Sequence, residues 1–207
     1  MISLPKEKTW KWLGHFFLLT TGLAVLFGSL VLTGFETMAS DKNIEELRNV
    51  PIEYVEELTD GEKITRTYNV PESNVGPESI KYPIKKIRDN IWINLSKNPK
   101  DKSEVCLLIA DKRMFETVEL VKNRKDEELI FKTLSEAFTN LKMAKESLSH
   151  EDKNKVEISR MNQQINQAGL AYEDIVKSFN YTNDEITKII DELETWNQKN
   201  NEEKRKD

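Results

Sequence analysis

A charged triplet, Asp111, Lys112 and Arg113, interrupts two apolar stretches of one predicted helix in the second half of the chain. Such groups can do acid–base or ion-pair chemistry when they are held in a poorly solvated site. At about 100° per residue the three side chains spread over most of a helical turn, so they cannot all point inward. A solvent-facing triplet is the simplest reading, and the alternatives are a structural ion pair between helices or a ligand site.

Each member of the triplet has its own expected role. Lys112 falls nearest the face of Leu108 and Phe115, where its apolar stem can cover the core while its ammonium reaches water. Arg113 can reach carboxylates on an adjacent helix, whereas Asp111 can compete for the same cation or accept a bond within its own helix. The helix should bury a wide face and touch more than one neighbour, because two seams run along it. The first seam contains Leu107, Ala110, Met114 and Val121, and the second contains Leu108 and Phe115.

The sequence contains none of the common catalytic motifs. With Cys106 as its one cysteine and two histidines, of which His15 lies in an apolar segment, it has too few ligands for a Cys and His zinc cluster. Glu-x-x-His pairs, H-E-x-x-H, G-x-S-x-G and a phosphate-cradling glycine loop are also missing. Cys106 stands among apolar residues and is expected to be a small core residue. We therefore expect no enzymatic activity and no cofactor or metal.

The first 35 residues differ sharply from the rest. Residues 13–35 are 23 uncharged, mostly apolar residues, which as a helix would span about 35 Å, enough for a hydrocarbon core of about 30 Å. We expect a single transmembrane helix, and the alternative is a signal peptide that is cleaved before secretion. Lysines before the span predict a cytoplasmic segment over 1–12 and an extracytoplasmic C-terminal portion at the plasma membrane.

The charge of the chain argues against a nucleic-acid partner. Three lysines and one glutamate precede residue 36, so the formal charge of −5 for the whole chain leaves −7 for the remainder. Binding to phosphate backbones needs a clustered basic surface. We therefore expect no nucleic-acid partner and assign most of these charges to solvation.

Residues 36–82 form a proline-containing neck for which two structures are possible. Asp60-Gly61 lies between strand-forming residues, which permits a β-hairpin. A short helix over about 41–48, followed by an extended linker, is equally compatible with the sequence.

The distal half is predicted to be helical, because no proline and one glycine, Gly169, follow Pro99. Short breaks at "NRKD" and "SHED" favour antiparallel neighbours in a helical bundle or long helical hairpins. The predicted fold class is therefore all-α, with a helical domain over 83–198 and a charged tail over 199–207 that should fray.

Five helices are predicted from apolar spacing at three and four residues, and each apolar stripe should be buried. The first follows Pro83, which suits a first helical turn, and the second runs from about Asp101 to Asn123, capped by Asp101. The third covers about 126–148, and a T-x-x-E pattern at Thr182 starts the fifth. The stripes of the first and fourth helices are Ile84, Ile87, Ile91 and Leu95, and Ile158, Met161, Ile165, Ala168, Tyr172, Ile175 and Phe179.

The stretch "YPIKKIRDNIWINLSKNPKDKSEVCLLIADKRMFETVELVKN", over 82–123, resembles the bacterial and archaeal domain of unknown function 5667. That family shows a proline, an aromatic-rich "PLYxLK" entry, an "R-D" pair in the first helix, a "DPxxKAE" turn and "LxLAxKRLxEA". The matching candidate interaction residues are Tyr82, Pro83, Arg88, Asp89, Pro99, Asp111, Lys112, Arg113 and Glu116.

Two departures limit the resemblance. This chain has "VPESNVGPES" where the family often carries "PYPG", and Asn98 replaces the usual aspartate before Pro99. The resemblance implies a helical extracytoplasmic domain behind one N-terminal anchor, and it brings no catalytic residues.

Two functions are consistent with these features. The first is a structural or protein-interaction module of the cell envelope, which binds another protein or its own copy through helical faces. The alternative is a sensor or regulator ectodomain that binds a small ligand or cation.

Overall fold

The computed structural model describes residues 17–23, 25, 48–57, 61, 63–149, 151, 156–179 and 184–206. The chain divides into two compact units, Met1–Glu45 and Glu46–Asp207. In the first unit, residues 17–23 and 25 are helical, and the predicted span over 13–35 otherwise lies outside the described residues. No helix in the described ranges is both long and apolar enough to cross a membrane.

The second unit begins with an antiparallel β-hairpin, which corrects the all-α prediction. Strands β1 (Val50–Glu57) and β2 (Lys63–Val70) pair in the register Ile52↔Tyr68. Gly61 adopts a positive φ of 81° between them, a conformation that glycine reaches without a steric penalty. The hairpin alternative for the neck is therefore confirmed. The competing helix over about 41–48 lies almost entirely outside the described residues.

Two helices follow, joined by a short turn. Helix α1 (Tyr82–Leu95) carries Pro83 in its first turn, where the missing N–H is not needed. Helix α2 (Pro99–Lys122) begins two residues earlier than predicted. Its N-cap is Asn98, whose side chain accepts the Lys100 amide at 3.0 Å, and not Asp101. The substitution of asparagine for aspartate keeps the cap, because both side chains satisfy free amides equally well.

Three further helices complete the described part of this unit: α3 (Glu127–Ser147), α4 (Val156–Lys177) and α5 (Asp184–Lys206). The Asp126 side chain caps α3 by accepting the Glu128 amide. Thr182, the predicted cap of α5, lies outside the described residues. Helix α5 continues to Lys206, although we expected residues 199–207 to fray.

Helix α2 is the centre of the bundle. It is buried continuously from Val105 to Asp111 and packs against α1, α3, α4 and β2, as its two seams predicted. Ser103 on α2 donates to the Ala144 carbonyl of α3 at 2.8 Å, which fixes these two helices side by side. Cys106 is fully buried, and burial raises the pKa of its thiol to about 11, which confirms it as a core residue.

Helices α4 and α5 cross closely at Gly169. A Cβ atom at this position would clash with the ring of Trp196 and with the side chain of Asn197. Asn197 donates to the Gly169 carbonyl at 3.1 Å and to Glu173 at 2.6 Å. The single glycine of the helical half therefore permits the crossing, and Asn197 supports α5 beyond its apolar stripe.

Helix α1 packs with its polar face inward. Its buried residues are Tyr82, Lys85, Asp89 and Ile93. The aliphatic stripe lies outward instead: Ile84 and Ile87 are 64% and 54% exposed, and Ile80 before the helix is 94% exposed. Leu95 is 39% exposed, and Ile91 is half-buried. The expectation that this stripe is buried is therefore wrong for Ile84, Ile87 and Leu95. The reason lies in the charged side chains that α2 presents to α1.

Candidate functional site: two buried polar clusters on helix α2

Asp111, Arg113 and Glu116 of α2 are all buried, with 0%, 2% and 2% of their surfaces exposed. The expectation of a solvent-facing triplet is therefore wrong for Asp111 and Arg113. Because Asp111 and Arg113 are two positions apart on a helix, they point to different neighbours. Each organises its own polar cluster.

Arg113 is surrounded by three carboxylates. Its guanidinium lies 2.7 Å from Asp89 of α1, 3.1 Å from Glu116 one turn along α2, and 3.4 Å from Glu136 of α3. The planar group, with five donors, suits several acceptors at once. Arg113 thus joins three helices, and the alternative of an inter-helix ion pair is the one that the structure contains.

Glu116 is the second member of this first cluster. It accepts a hydrogen bond from the Tyr82 hydroxyl at 2.9 Å and one from Ser73 at 2.6 Å, and it pairs with Lys85. Lys85 also donates to Ser73 at 2.5 Å and to the Val75 carbonyl at 3.0 Å. We call Tyr82, Lys85, Asp89, Arg113 and Glu116 the Arg113 cluster.

Burial and charge act against each other inside the Arg113 cluster. Burial lowers the pKa of Lys85, although Glu116 partly offsets this effect. Burial also opposes the charge of Arg113, yet the carboxylates led by Glu116 raise its pKa. The Tyr82 pKa is raised by burial and by Glu116, so its hydroxyl stays a proton donor. The aromatic ring of Tyr82 lies 5.0 Å from the Arg113 guanidinium, a cation–π arrangement.

Asp111 organises the second cluster on the opposite side of α2. One carboxylate oxygen accepts hydrogen bonds from Tyr68 of β2 at 2.9 Å and from Tyr172 of α4 at 2.7 Å. The other oxygen lies 2.9 Å from the Arg48 guanidinium. The two tyrosine rings meet edge to face at 6.1 Å. The Asp111 cluster, Arg48, Tyr68, Asp111 and Tyr172, therefore ties the hairpin to α2 and α4.

The electrostatics of the Asp111 cluster follow from complete burial. Burial raises the pKa of Asp111, opposed by the charge of Arg48 and by the two tyrosine hydrogen bonds. Burial and the nearby carboxylate raise the pKa values of Tyr68 and Tyr172. Both phenols are thus held as donors to a carboxylate.

The remaining predicted residues lie at the edges of these clusters. Arg88 donates to Asp89 at 2.8 Å and lies over the Trp92 ring, with its side chain 43% exposed. Lys112 is half-buried, and burial lowers its pKa. Pro83 is exposed in the first turn of α1, and Pro99 is the first residue of α2. Both prolines shape helix ends and contribute no group to either cluster.

Four members of the clusters could not be chosen from the sequence, namely Arg48, Tyr68, Lys85 and Tyr172. The same holds for Ser73 and Glu136, which contact the Arg113 cluster. Lys85 offered one signal, because it lies on the same helical face as Tyr82 and Asp89. Tyr68 and Tyr172 are separated from Asp111 by 43 and 61 positions, so no local spacing could connect them.

Chemically, these clusters neutralise charge internally. The buried carboxylates of both clusters face cations or phenol donors at hydrogen-bond distance. Within the described ranges, no group of three or more His, Cys, Asp or Glu side chains is arranged to hold a metal ion. The arrangement is therefore suited to fixing the relative positions of the hairpin and four helices.

The fold and its clusters define a class: a helical bundle with a docked β-hairpin, organised around buried charges on one central helix. A family model described as "Domain of unknown function (DUF5667)" matches residues 74–206. The chain belongs to this family. The match contains the whole Arg113 cluster and begins after β2, so the Asp111 cluster joins the family domain to the hairpin that precedes it. No curated protein matches the chain, and no solved structure does.

Proposed function

We propose that this protein is a membrane-anchored, extracytoplasmic protein-interaction module of the cell envelope, and not an enzyme. The observation that carries the proposal is the outward aliphatic stripe of α1. Three isoleucines, Ile80, Ile84 and Ile87, are more than half exposed in the described structure. Exposed apolar residues that form one contiguous patch are typical of protein or membrane contact sites.

The proposed membrane anchor is inferred from the apolar sequence over 13–35, and the helical residues of the first unit support it. The described residues 17–23 and 25 are helical, and Phe17, Leu18 and Leu19 are at least 70% exposed there. The hydroxyls of Thr20 and Thr21 donate to the Phe17 carbonyl, which satisfies polar groups that a bilayer would not solvate. Lysines before this segment favour a cytoplasmic N-terminus at the plasma membrane.

A fractionation experiment tests the anchor and its orientation. We expect the full chain to stay with membranes after alkaline carbonate washing. External protease added to intact spheroplasts should remove the part after residue 36. Recovery in the soluble fraction would contradict the anchor, and protection from external protease would contradict the orientation.

A photo-crosslinker tests the interaction module. A benzoylphenylalanine at Ile84 should yield a protein adduct in living cells, whereas the same group at the exposed position Gln163 of α4 should not. The absence of an Ile84 adduct above the Gln163 background would contradict the proposal.

A second candidate function, a sensor for a small ligand, has one supporting observation. A surface groove of about 390 Å³ lies between α3 and α5, with Phe138 and Trp196 in its wall. Charges of both signs surround it: Lys142, Lys188, Lys199, Asp191 and Glu192. Aromatic walls beside cations and carboxylates suit a small organic ligand that carries groups of both charges. A screen of metabolites by thermal unfolding of the full chain tests this candidate, because a bound ligand raises the unfolding temperature.

A further inference from the structure

The outward face of α1 consists of one row of aliphatic side chains with positive charge beside it. Ile84, Ile87, Ile91 and Leu95 fall within about a quarter of a helical turn, since each residue advances by about 100°. Ile80, in the turn before the helix, continues the same sequence spacing and is 94% exposed. The row is spaced at four, three, four and four residues, which is the spacing of a helix-packing seam.

One border of this row is cationic, and neither border contains a carboxylate from α1. Asp89 is the one acidic residue of α1, and it is buried against Arg113. Lys81 is exposed beside the row. Arg88 contacts Asp89 but has a side chain 43% exposed, and its guanidinium has further donors available. A helix without exposed acids stands out in a chain with a formal charge of −5.

We propose, resting on the interaction function above, that this face docks an amphipathic helix of another protein whose apolar row is bordered by aspartate or glutamate. Its aliphatic side chains pack between the isoleucines of α1, and its carboxylates face Lys81 and Arg88. Charge complementarity of this kind determines which partner binds and in which register, and it contributes less to the affinity itself.

Two other occupants fit the same face less well. A second copy of this chain would bring Lys81 and Arg88 of both copies to a seam without an α1 carboxylate. An anionic bilayer would attract the two cations, but the formal charge of −7 after residue 35 would oppose approach to its surface. A single row on a 14-residue helix also matches one partner helix better than a planar surface.

The test uses the full-length purified chain and two synthetic helices. Both peptides carry the same leucine row, bordered by glutamate in one and by lysine in the other. We expect the glutamate-bordered peptide to bind at least about tenfold more tightly by fluorescence anisotropy, with the difference shrinking at high salt. Equal affinities, or no binding of either peptide, would overturn the proposal.

Variants locate the binding to this face. Ile84→Asp should remove binding of the glutamate-bordered peptide, and Lys81→Glu should weaken it at least about threefold while strengthening the lysine-bordered one. The matched control is Lys132→Glu, an exposed charge reversal on α3 that should change neither affinity. Thermal unfolding of each variant shows that the fold is retained. An equal effect of Lys132→Glu would overturn the assignment to α1.

Crosslinking at Ile84 in cells separates this proposal from the interaction function itself. An adduct within an acidic amphipathic helix supports both. An adduct on a protein segment without acidic borders, or on a second copy of this chain, overturns the acidic-helix proposal and leaves the interaction function standing. Lipid adducts alone, or none, overturn both.

Discussion

Helices α1 and α4 carry the same kind of aliphatic row, and the fold treats the two rows in opposite ways. In α4 the row is buried, with Ile158, Met161 and Ile165 at most 4% exposed. In α1 the row faces outward and the polar residues Lys85 and Asp89 are buried. An apolar row therefore predicts burial only where the opposite face of the helix carries no side chains that pair with buried charges.

The buried charges that pair with α1 belong to α2. Turning the row of α1 inward would expose Tyr82, Lys85 and Asp89 and leave Arg113 and Glu116 buried without these partners. A buried charge that loses its partner costs about 3–5 kcal/mol. Burying Ile84 and Ile87, the two residues of α1 in this row that are more than half exposed, would gain at most about 3–6 kcal/mol, at about 1.5–3 kcal/mol each. Two charges, Arg113 and Glu116, would lose partners in return. The charges on α2 can therefore outweigh the aliphatic row of α1.

The largest effect on stability is expected when the ion pairs of the Arg113 cluster are broken. Arg113→Met leaves Asp89 and Glu116 without the cation that they share, and it removes one of the two cations beside Glu136. The free energy of unfolding should therefore fall by about 3–5 kcal/mol. Urea denaturation monitored by circular dichroism measures this loss. Lys132→Met, an exposed change on α3, serves as the control and should stay within about 0.5 kcal/mol. A similar small effect of Arg113→Met would contradict the importance of the cluster.

The same substitution in the two rows sharpens the comparison. Ile165→Ala in α4 opens a cavity at a fully buried site and should cost about 2–5 kcal/mol. Ile84→Ala in α1 removes a side chain that is 64% exposed and should change stability by no more than about 0.5 kcal/mol. Equal losses at the two positions, in denaturation of the purified protein, would mean that the row of α1 is buried after all.

The hairpin provides the next test. Asp111→Asn removes the charge opposite Arg48 but keeps an oxygen for Tyr68 and Tyr172, so we expect a loss of about 1–3 kcal/mol. Amide hydrogen exchange should increase first in β1 and β2, because the Asp111 cluster holds them to α2 and α4. Asp191→Asn on the exposed side of α5 is the control. Unchanged exchange in the hairpin would contradict this role.

The smallest effect concerns pH. Burial, with added repulsion from Glu173 and Glu56, raises the pKa of Asp174 on α4 to about 6. The folded protein then binds this proton more tightly than the unfolded chain does, so the contribution of Asp174 to stability falls as pH rises from about 4 to about 6. Because the group is partly solvated, the change should not exceed about 1 kcal/mol.

Asp174→Asn isolates this contribution. The variant should gain stability relative to the unmodified protein above pH 6, and the gain should shrink as pH falls toward 4. Thermal unfolding at both pH values measures the difference. A variant that is less stable than the unmodified protein above pH 6, with the loss shrinking toward pH 4, would instead show that Asp174 has a lowered pKa.

The sequence predicted those features of the fold that one local pattern determines. The positions of α3 and α4 followed from apolar spacing, and Gly61 marked the hairpin turn through its conformational freedom. Arg113 was identified as able to reach an adjacent helix. The inward face of α1 was missed, because periodicity shows that a helix has two faces but does not show which face has buried partners. Tyr68 and Tyr172 were missed because contacts over long sequence separations depend on the complete fold.

Thiol labelling measures whether the aliphatic row of α1 faces outward. In the purified full chain, Ile84→Cys should react with a maleimide as fast as a reference Gln163→Cys on the exposed side of α4. Cys106 does not obscure the measurement, because it is fully buried and its pKa is raised to about 11. Labelling of Ile84→Cys that is as slow as that of Cys106 would show that this face of α1 is buried.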